Sequence, residues 1–308
     1  LMKEIKLVIL SGKGGVGKSM LASSLAMLFA RERRTVAVDC DVDAPNLAIW
    51  LGDPGNWREI KKISVSERAI IDDKRLTKKE KEECLKKCRF NALEIKGGRL
   101  KVNPFLCEGC GACEIFCPKG VVRMKPVKNA QVLVKKTRYG FPLVSGQLFP
   151  GETGSGKIVT EIKKEAEKVG RSFRWHSGLQ SKPMLYVIDS APGTGCPVTA
   201  SLRDSNLAIL LTEPTPSGFS DLKRVLGVVN YFNIPWALII NKWDINRNLS
   251  EKIEKRAGTK LLGKISYDKK IFRAVANLKP ILKTELGAKR EIKEIFKKVK
   301  KLLAKNFL

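Results

Sequence analysis

The stretch Leu7–Phe29, LVILSGKGGVGKSMLASSLAMLF, decides how the rest of the chain is read. Leu7, Val8, Ile9 and Leu10 form a short apolar run, the mark of a buried parallel strand. A glycine-rich loop follows, and Leu21, Leu25, Leu28 and Phe29 then recur at helical spacing. Between that strand and that helix, Gly12, Gly17, Lys18 and Ser19 satisfy G-x-x-x-x-G-K-[ST]. Glycines let backbone N–H groups turn inward on phosphates, the lysine neutralises β/γ oxygens, and the serine hydroxyl reaches Mg²⁺. The loop Gly12, Lys13, Gly14, Gly15, Val16, Gly17, Lys18, Ser19 and Met20 is therefore the expected nucleoside triphosphate site. A flexible glycine turn is the bland alternative, and the strand–loop–helix setting argues against it.

At 308 residues and 43% hydrophobic, the chain can bury one large α/β core or two to three smaller ones. No apolar run of about eighteen residues occurs, so no spanning helix is expected. The sequence runs straight into a strand, so no secretory signal is expected either. Eight cysteines beside a nucleotide loop point to a reducing cytoplasm, where clustered thiols bind metal. The net charge of +28 fits nucleic acid, an anionic membrane, an acidic protein or simple solubility, and selects none of them.

A second buried strand, Thr35–Val38, ends in Asp39-Cys40-Asp41-Val42-Asp43. Carboxylates at the carboxyl end of a parallel strand sit beside a phosphate loop, where such sheets bind ligands. The loop carries an extra lysine, Lys13, ahead of Gly14-Gly15. With D-C-D-V-D-A-P-N-L at 39–47, that doubled lysine resembles the MinD/ParA/nitrogenase-iron-protein class of ATPases. The resemblance implies that Lys13 reaches across an ATP-dependent homodimer to the partner's nucleotide. It further implies that Asp39 lies near Mg²⁺ and that Asp41 orients the attacking water. Phosphoryl transfer to water needs little more than such positioning and charge neutralisation.

From about Arg58 the composition turns lysine-rich and then cysteine-rich. Cys107-x2-Cys110-x2-Cys113-x3-Cys117-Pro118 is the bacterial ferredoxin run, which favours a [4Fe–4S] cluster over the competing zinc knot. The fourth cysteine of such a run ligates the other cluster of a two-cluster module. Upstream stand Cys84 and Cys88, but the two preceding ligand positions are Lys78 and Lys81. Swapped ligation thus leaves one complete set, Cys88, Cys107, Cys110 and Cys113, and makes Cys84 and Cys117 remnants of an empty second site. Ala92–Ile95 and Arg99–Val102 read as a hairpin around Gly97-Gly98. The combination resembles MinD-superfamily ATPases with an inserted ferredoxin domain.

Residues 121–149 alternate loosely, as two or three short strands. Residues 151–158 (GETGSGKI) mimic a phosphate loop but end in Ile158, and read as a turn before a helix at Ile158–Val169. His176, the single histidine, carries no expected role. The buried strand Met184–Ile188 ends in Asp189, whose place before a Pro-Gly turn suits a water-mediated Mg²⁺ ligand and γ-phosphate sensing. Cys196 reads as a buried thiol. The apolar runs Leu207–Leu211 and Trp236–Ile240 are further strands, Ser220–Phe232 is helical, and Leu261–Ile265 is an edge strand. By the resemblance, Asn241 contacts adenine. The C-terminal helix carries Ile292, Ile295, Phe296, Val299, Leu302 and Leu303 on one face. Packing on the sheet is the favoured use of that face, and membrane binding the lesser one.

These readings give a doubly wound, mostly parallel α/β P-loop NTPase sheet with an inserted ferredoxin-like iron–sulfur module. The expected parts are residues 1–57 and 181–308 for the ATPase, 58–125 for the insert, and 126–180 for an additional β/α segment. The expected activity is ATP hydrolysis with Mg²⁺ and one [4Fe–4S] cluster, coupled to electron transfer or cluster handling. An acidic redox or iron–sulfur client is the expected partner. Specific nucleic-acid binding is not expected, because no recognition helix or aromatic stacking array is recognisable. A MinD/ParA-like positioning ATPase with a structural cluster is the alternative. An iron–sulfur carrier is disfavoured by the lack of a C-x-x-C near the C-terminus, and a dead remnant by the complete swapped set.

Overall fold

The computed structural model describes residues 4–118, 120–152 and 156–307, which divide into two compact units. The first comprises residues 1–60, 132–147 and 154–308, and the second residues 61–131 and 148–153. Of the segment 126–180 expected as an additional piece, residues 132–147 and 154–180 fall in the first unit.

In chain order the elements are β1 (Glu4–Ser11), α1 (Lys18–Phe29), β2 (Thr35–Cys40), α2 (Leu47–Trp50) and β3 (Arg58–Ile71). Then come α3 (Lys78–Lys87), β4 (Leu93–Lys96), β5 (Arg99–Val102), α4 (Ala112–Phe116), β6 (Val122–Lys136) and β7 (Pro142–Leu148). The remainder is α5 (Gly156–Ser172), β8 (Met184–Ser190), α6 (Cys196–Leu202), β9 (Leu207–Thr212), α7 (Pro216–Tyr231) and β10 (Trp236–Asn241). α8 (Arg247–Ala257), β11 (Leu261–Ile265), α9 (Lys270–Ala276) and α10 (Gly287–Phe307) close the chain.

In the first unit the strand order is β11-β10-β9-β1-β8-β2-β7-β6. Every pairing from β11 through to β7 is parallel. Parallel strands covered on both faces read as continuous apolar runs, and β1 shows why. Ile5, Leu7 and Ile9 join the core under α1 and α10, while Val8 and Leu10 are buried on the other face. The α1 helix is buried on all sides, with Phe29 edge-on to Phe296 of α10 at 4.7 Å. On the opposite face, Gly146 of β7 has room for no side chain because Ile162 of α5 occupies the space a Cβ would take. The apolar stripe of α10 packs on the sheet, where Gly263 of β11 admits Ile295. This bears out the packing expectation. No helix among the described residues is long and apolar enough to cross a membrane.

Register brings the functional ends together. Asp39 of β2 pairs with Asp189 of β8, and Ile9 of β1 pairs with the same Asp189. The strand Leu261–Ile265 takes the expected edge position. Residues 121–149, expected as two or three short strands, hold two, β6 and β7, of which β6 is long; beside β6 lies β3, a long strand where the sequence reading named no element.

The second unit holds α3, the antiparallel β4–β5 hairpin and α4. Thr77 and Glu80 form a reciprocal capping box at the start of α3, which explains a helix in so lysine-rich a stretch. A small apolar core gathers Ala69, Leu76, Leu93, Leu100, Val121 and Val122 around Cys84 and Cys117.

Candidate functional site

The loop after β1 turns at Gly15 (φ 75°) and Gly17 (φ 97°), conformations that favour glycine. Gly17 caps α1 without a side-chain hydrogen bond, leaving the first N–H groups of the helix open to an anion. Gly12 lies against the backbone of Asp221 in α7, 2.7 Å from where a Cβ would stand, so no larger residue fits there. The cavity beside this loop measures about 240 Å³ and is lined by Gly14, Gly15, Gly17, Lys18, Ser19, Met20 and Asp41. Asn46, Trp50, Asn241, Lys242, Tyr267 and Phe272 also line it.

Four charges meet beneath the loop. Lys18 Nζ donates to Asp189 Oδ1 at 2.7 Å and lies 3.8 Å from Asp41 Oδ2. Burial alone would lower the Lys18 pKa, but the Asp189 charge and hydrogen bond, together with the charges of Asp41 and Asp39, outweigh it and the value rises. Asp39 accepts from the N–H groups of Asp41 (3.1 Å) and Leu47 (2.9 Å). Burial, then the neighbouring Asp189 charge, pushes its carboxyl up to about 8. At neutral pH the Asp39 carboxyl therefore holds a proton. Asp189 Oδ2 is buried with no hydrogen-bond partner. A divalent cation would satisfy that orphaned oxygen and replace the proton, so the donor set of Ser19, Asp39 and Asp189 fits Mg²⁺. The turn after β8 is tied in as well, with the Gly193 N–H donating to Ser11 O at 2.9 Å.

Asn241 Nδ2 donates to Val16 O at 2.6 Å, so the end of β10 braces the phosphate loop. Lys242 Nζ donates to Gly15 O at 3.2 Å. Lys13 turns away from the cavity and pairs with Glu213 Oε1 at 2.5 Å, with Ser217 Oγ at 3.2 Å. Burial raises the Glu213 carboxyl, but hydrogen bonds from Lys13 and Lys242 pull it below the usual range. Sequence reasoning missed Glu213, Asn46, Trp50, Tyr267 and Phe272. Glu213 alone carried a readable signal, since it follows a buried parallel strand as Asp39 and Asp189 close theirs.

In the second unit, Cys88, Cys107, Cys110 and Cys113 line one cavity of about 150 Å³ with Phe90, Phe116 and Met124. Cys88 ends α3, and its Sγ accepts the Ala92 N–H at 3.4 Å. Gly109 (φ 63°) presses on Glu67 O, and Gly111 (φ 75°) caps α4, so the loop turns its thiols to one side. Burial, then the nearby Cys107 and Cys110 thiols, pushes the Cys113 thiol up. Among the described residues no three His, Cys, Asp or Glu side chains close on a single-ion site. Cys84 and Cys117, expected as remnants of an empty site, lie outside that cavity and pair with each other as a disulfide, with Cα atoms 5.5 Å apart. Lys81, at a lost ligand position, bonds Asp73 Oδ2 at 2.9 Å and Gly98 O at 2.7 Å. Of the loop-like stretch 151–158, Thr153, Gly154 and Ser155 lie outside the described residues. Cys196, expected buried, is exposed.

Residues 7–281 match the model of the CobQ/CobB/MinD/ParA nucleotide binding domain. An uncharacterized protein of Methanocaldococcus jannaschii is 35% identical over 301 residues, 97% of this chain and 98% of its own length. A ferredoxin of the same organism is 40% identical over 45 residues, 14% of this chain and 73% of its own length. Among solved structures, the septum site-determining protein MinD of Pyrococcus horikoshii, complexed with Mg-ADP, superposes with a TM-score of 0.56. It is 17% identical, and the likeness covers 99% of both chains.

Proposed function

Since the chain belongs to the CobQ/CobB/MinD/ParA nucleotide-binding family, we propose that it is a Mg²⁺-dependent ATPase carrying one [4Fe–4S] cluster. ATP hydrolysis would be coupled to electron transfer or cluster handling. Lys18 and the open N-terminus of α1 take the phosphates, and Ser19, Asp39 and Asp189 would hold Mg²⁺, which supplies charge neutralisation. Asp41 orients the attacking water, and Lys13 serves the nucleotide of a second copy in an ATP-dependent dimer. Asn241, Trp50, Tyr267 and Phe272, which line the same cavity, would meet the base.

Cys88, Cys107, Cys110 and Cys113 would hold the cluster, which supplies one-electron chemistry. The observation that carries this reading is the sharing of one cavity by these four thiols while Cys84 and Cys117 are consumed by each other. The 45-residue likeness to a ferredoxin supports the same reading. The fitting partner is an acidic redox or iron–sulfur protein, given the charge of +28.

The test is anaerobic iron and sulfide analysis, with the reduction potential measured with and without a non-hydrolysable ATP analogue. About four irons per chain and a nucleotide-dependent potential are expected. Zinc in place of iron, or a potential indifferent to nucleotide, would remove the coupling.

A further inference from the structure

A cavity of about 430 Å³ in the first unit lies apart from the phosphate loop. The turn before β3, the hairpin turn between β6 and β7 and the end of α5 wall it. They supply Asn56, Arg58, Lys135, Lys136, Ser172 and Arg174. Because β2, β7 and β8 run parallel, α5, which joins β7 to β8, returns to the edge where those strands begin. The phosphate loop leaves β1 at the other edge, roughly 20 Å away across strands such as β8.

Among the described residues no carboxylate lines this cavity. Lys135 is spoken for, since its buried Nζ donates to Asp53 Oδ1 at 2.7 Å and to Asp53 O at 2.6 Å. Arg58, Lys136 and Arg174 are exposed and have no carboxylate partner among the described residues. The carbonyls that end α5 would oppose an anion. However, the carbonyl of Val169 already accepts from the Phe173 N–H and the Ser172 hydroxyl, and that of Gly170 from Trp175 Nε1. Three cations thus face one hollow with nothing to neutralise them, and their mutual repulsion is relieved when an anion enters.

We propose that this cavity binds a small phosphorylated molecule, independently of the nucleotide at the phosphate loop. Two guanidinium forks match phosphate oxygens in pairs, and Lys136 adds a point charge. The volume is within the range of small-molecule sites. A nucleic acid strand would call for cations along an extended track and aromatic rings free to stack. Here the cations converge on one hollow, and Phe173 is engaged by Lys136 Nζ at 6.0 Å and by the Trp175 ring at 4.7 Å.

Diffuse attraction is the competing explanation, because a net charge of +28 draws any anion weakly. Tripolyphosphate is titrated calorimetrically into the full chain at about 0.15 M salt, where long-range attraction is screened. The same titration is made with Lys18→Ala, with the double variant Arg58→Gln/Arg174→Gln, and with Lys293→Gln/Lys301→Gln. The last pair removes the same charge from exposed positions of α10. Two sites are expected in the parent chain, one of them kept in Lys18→Ala. That site should weaken about tenfold or more in Arg58→Gln/Arg174→Gln and stay within about twofold in the α10 pair. The inference is overturned if Lys18→Ala leaves no site, or if both double variants weaken binding equally. Tighter binding of a short DNA duplex than of tripolyphosphate, lost in Arg58→Gln/Arg174→Gln, would give these cations to nucleic acid and overturn it too. An unchanged pair of sites in Lys18→Ala would instead count against the phosphate-loop assignment, while loss in the arginine variant alone would still support this one.

Discussion

Lys13 Nζ lies 2.5 Å from Glu213 Oε1, and the other carboxylate oxygen holds Lys242 Nζ at 3.0 Å. One acid thus restrains both the loop lysine proposed to act on a second copy and a lysine that braces Gly15. Removing the acid's charge should release Lys13 for that second copy. Glu213→Gln should lower the protein concentration needed for ATP-dependent dimerisation about two- to fivefold, the worth of a partly exposed ion pair. Analytical ultracentrifugation with a non-hydrolysable analogue measures it. A midpoint that stays put would mean that Glu213 does not restrain Lys13.

Lys18→Ala removes the cation that sits among Asp39, Asp41 and Asp189, and should abolish nucleotide binding. Asp41→Ala should leave ATP binding intact and stop turnover, because the carboxylate lines the cavity while the hydrogen bond that holds Lys18 comes from Asp189. Calorimetric titration alongside phosphate release separates the two. Full ATP affinity in Lys18→Ala would sink the assignment of the loop.

The proton on Asp39 makes magnesium binding depend on pH. Metal binding requires the ionised form, so below about pH 8 each bound ion must displace a proton. Affinity for Mg²⁺-nucleotide should fall by up to about tenfold for each pH unit below that value. Asp39→Asn should bind metal more weakly and flatten the dependence. The same group predicts that the metal-free protein loses stability as pH rises from 3.8 towards 8, since the folded state then holds the extra proton. Affinity independent of pH between 6 and 8 would contradict a proton on Asp39.

Buried Lys163 donates to the carbonyls of Ala200, Ser201 and Arg203 at the end of α6. Lys163→Met should cost about 1–3 kcal/mol by stranding them. Burial lowers the folded pKa from 10.5 to about 8. Between those values the unfolded chain binds more protons, so this lysine's contribution to stability rises with pH. Denaturant titrations of both proteins across that window should show the rise in the parent chain and not in the variant.

Cys88→Ser should cost the iron as surely as Cys110→Ser, whereas Cys84→Ser should keep about four irons per chain. Metal analysis of anaerobically reconstituted protein decides it. Iron loss in Cys84→Ser with Cys88→Ser unaffected would overturn the ligand set.

What the sequence disclosed follows from how local each signal was. Leu7–Leu10, Thr35–Val38 and Met184–Ile188 are buried on both faces, so their apolar runs are continuous and legible. The stretch Arg58–Ile71 was not, because among the described side chains of its strand only Ile63 and Ala69 are buried apolar residues, set among lysines and glutamates. In β6 the interruption by Lys125, Pro126 and Lys128 hid a single long strand. The phosphate loop and the cysteine spacing are local codes and were readable. Glu213 meets Lys13 across two hundred positions of sequence, and Tyr267 and Phe272 reach the cavity from a loop and from α9. Only the folded chain brings such groups together.

The place of β8 between β1 and β2 has a consequence for synthesis on the ribosome. β2 ends at residue 40 and β8 begins at residue 184, so 143 residues separate two strands that must lie side by side. At about 5–20 residues per second, β1 and β2 emerge roughly 7–30 s before the strand that joins them. Throughout that interval the edges of β1 and β2 that β8 will fill stand open, the condition under which nascent chains aggregate. Residues 61–131, emerging within this interval, complete nearly all of the second unit while the nucleotide-binding sheet is still unfinished.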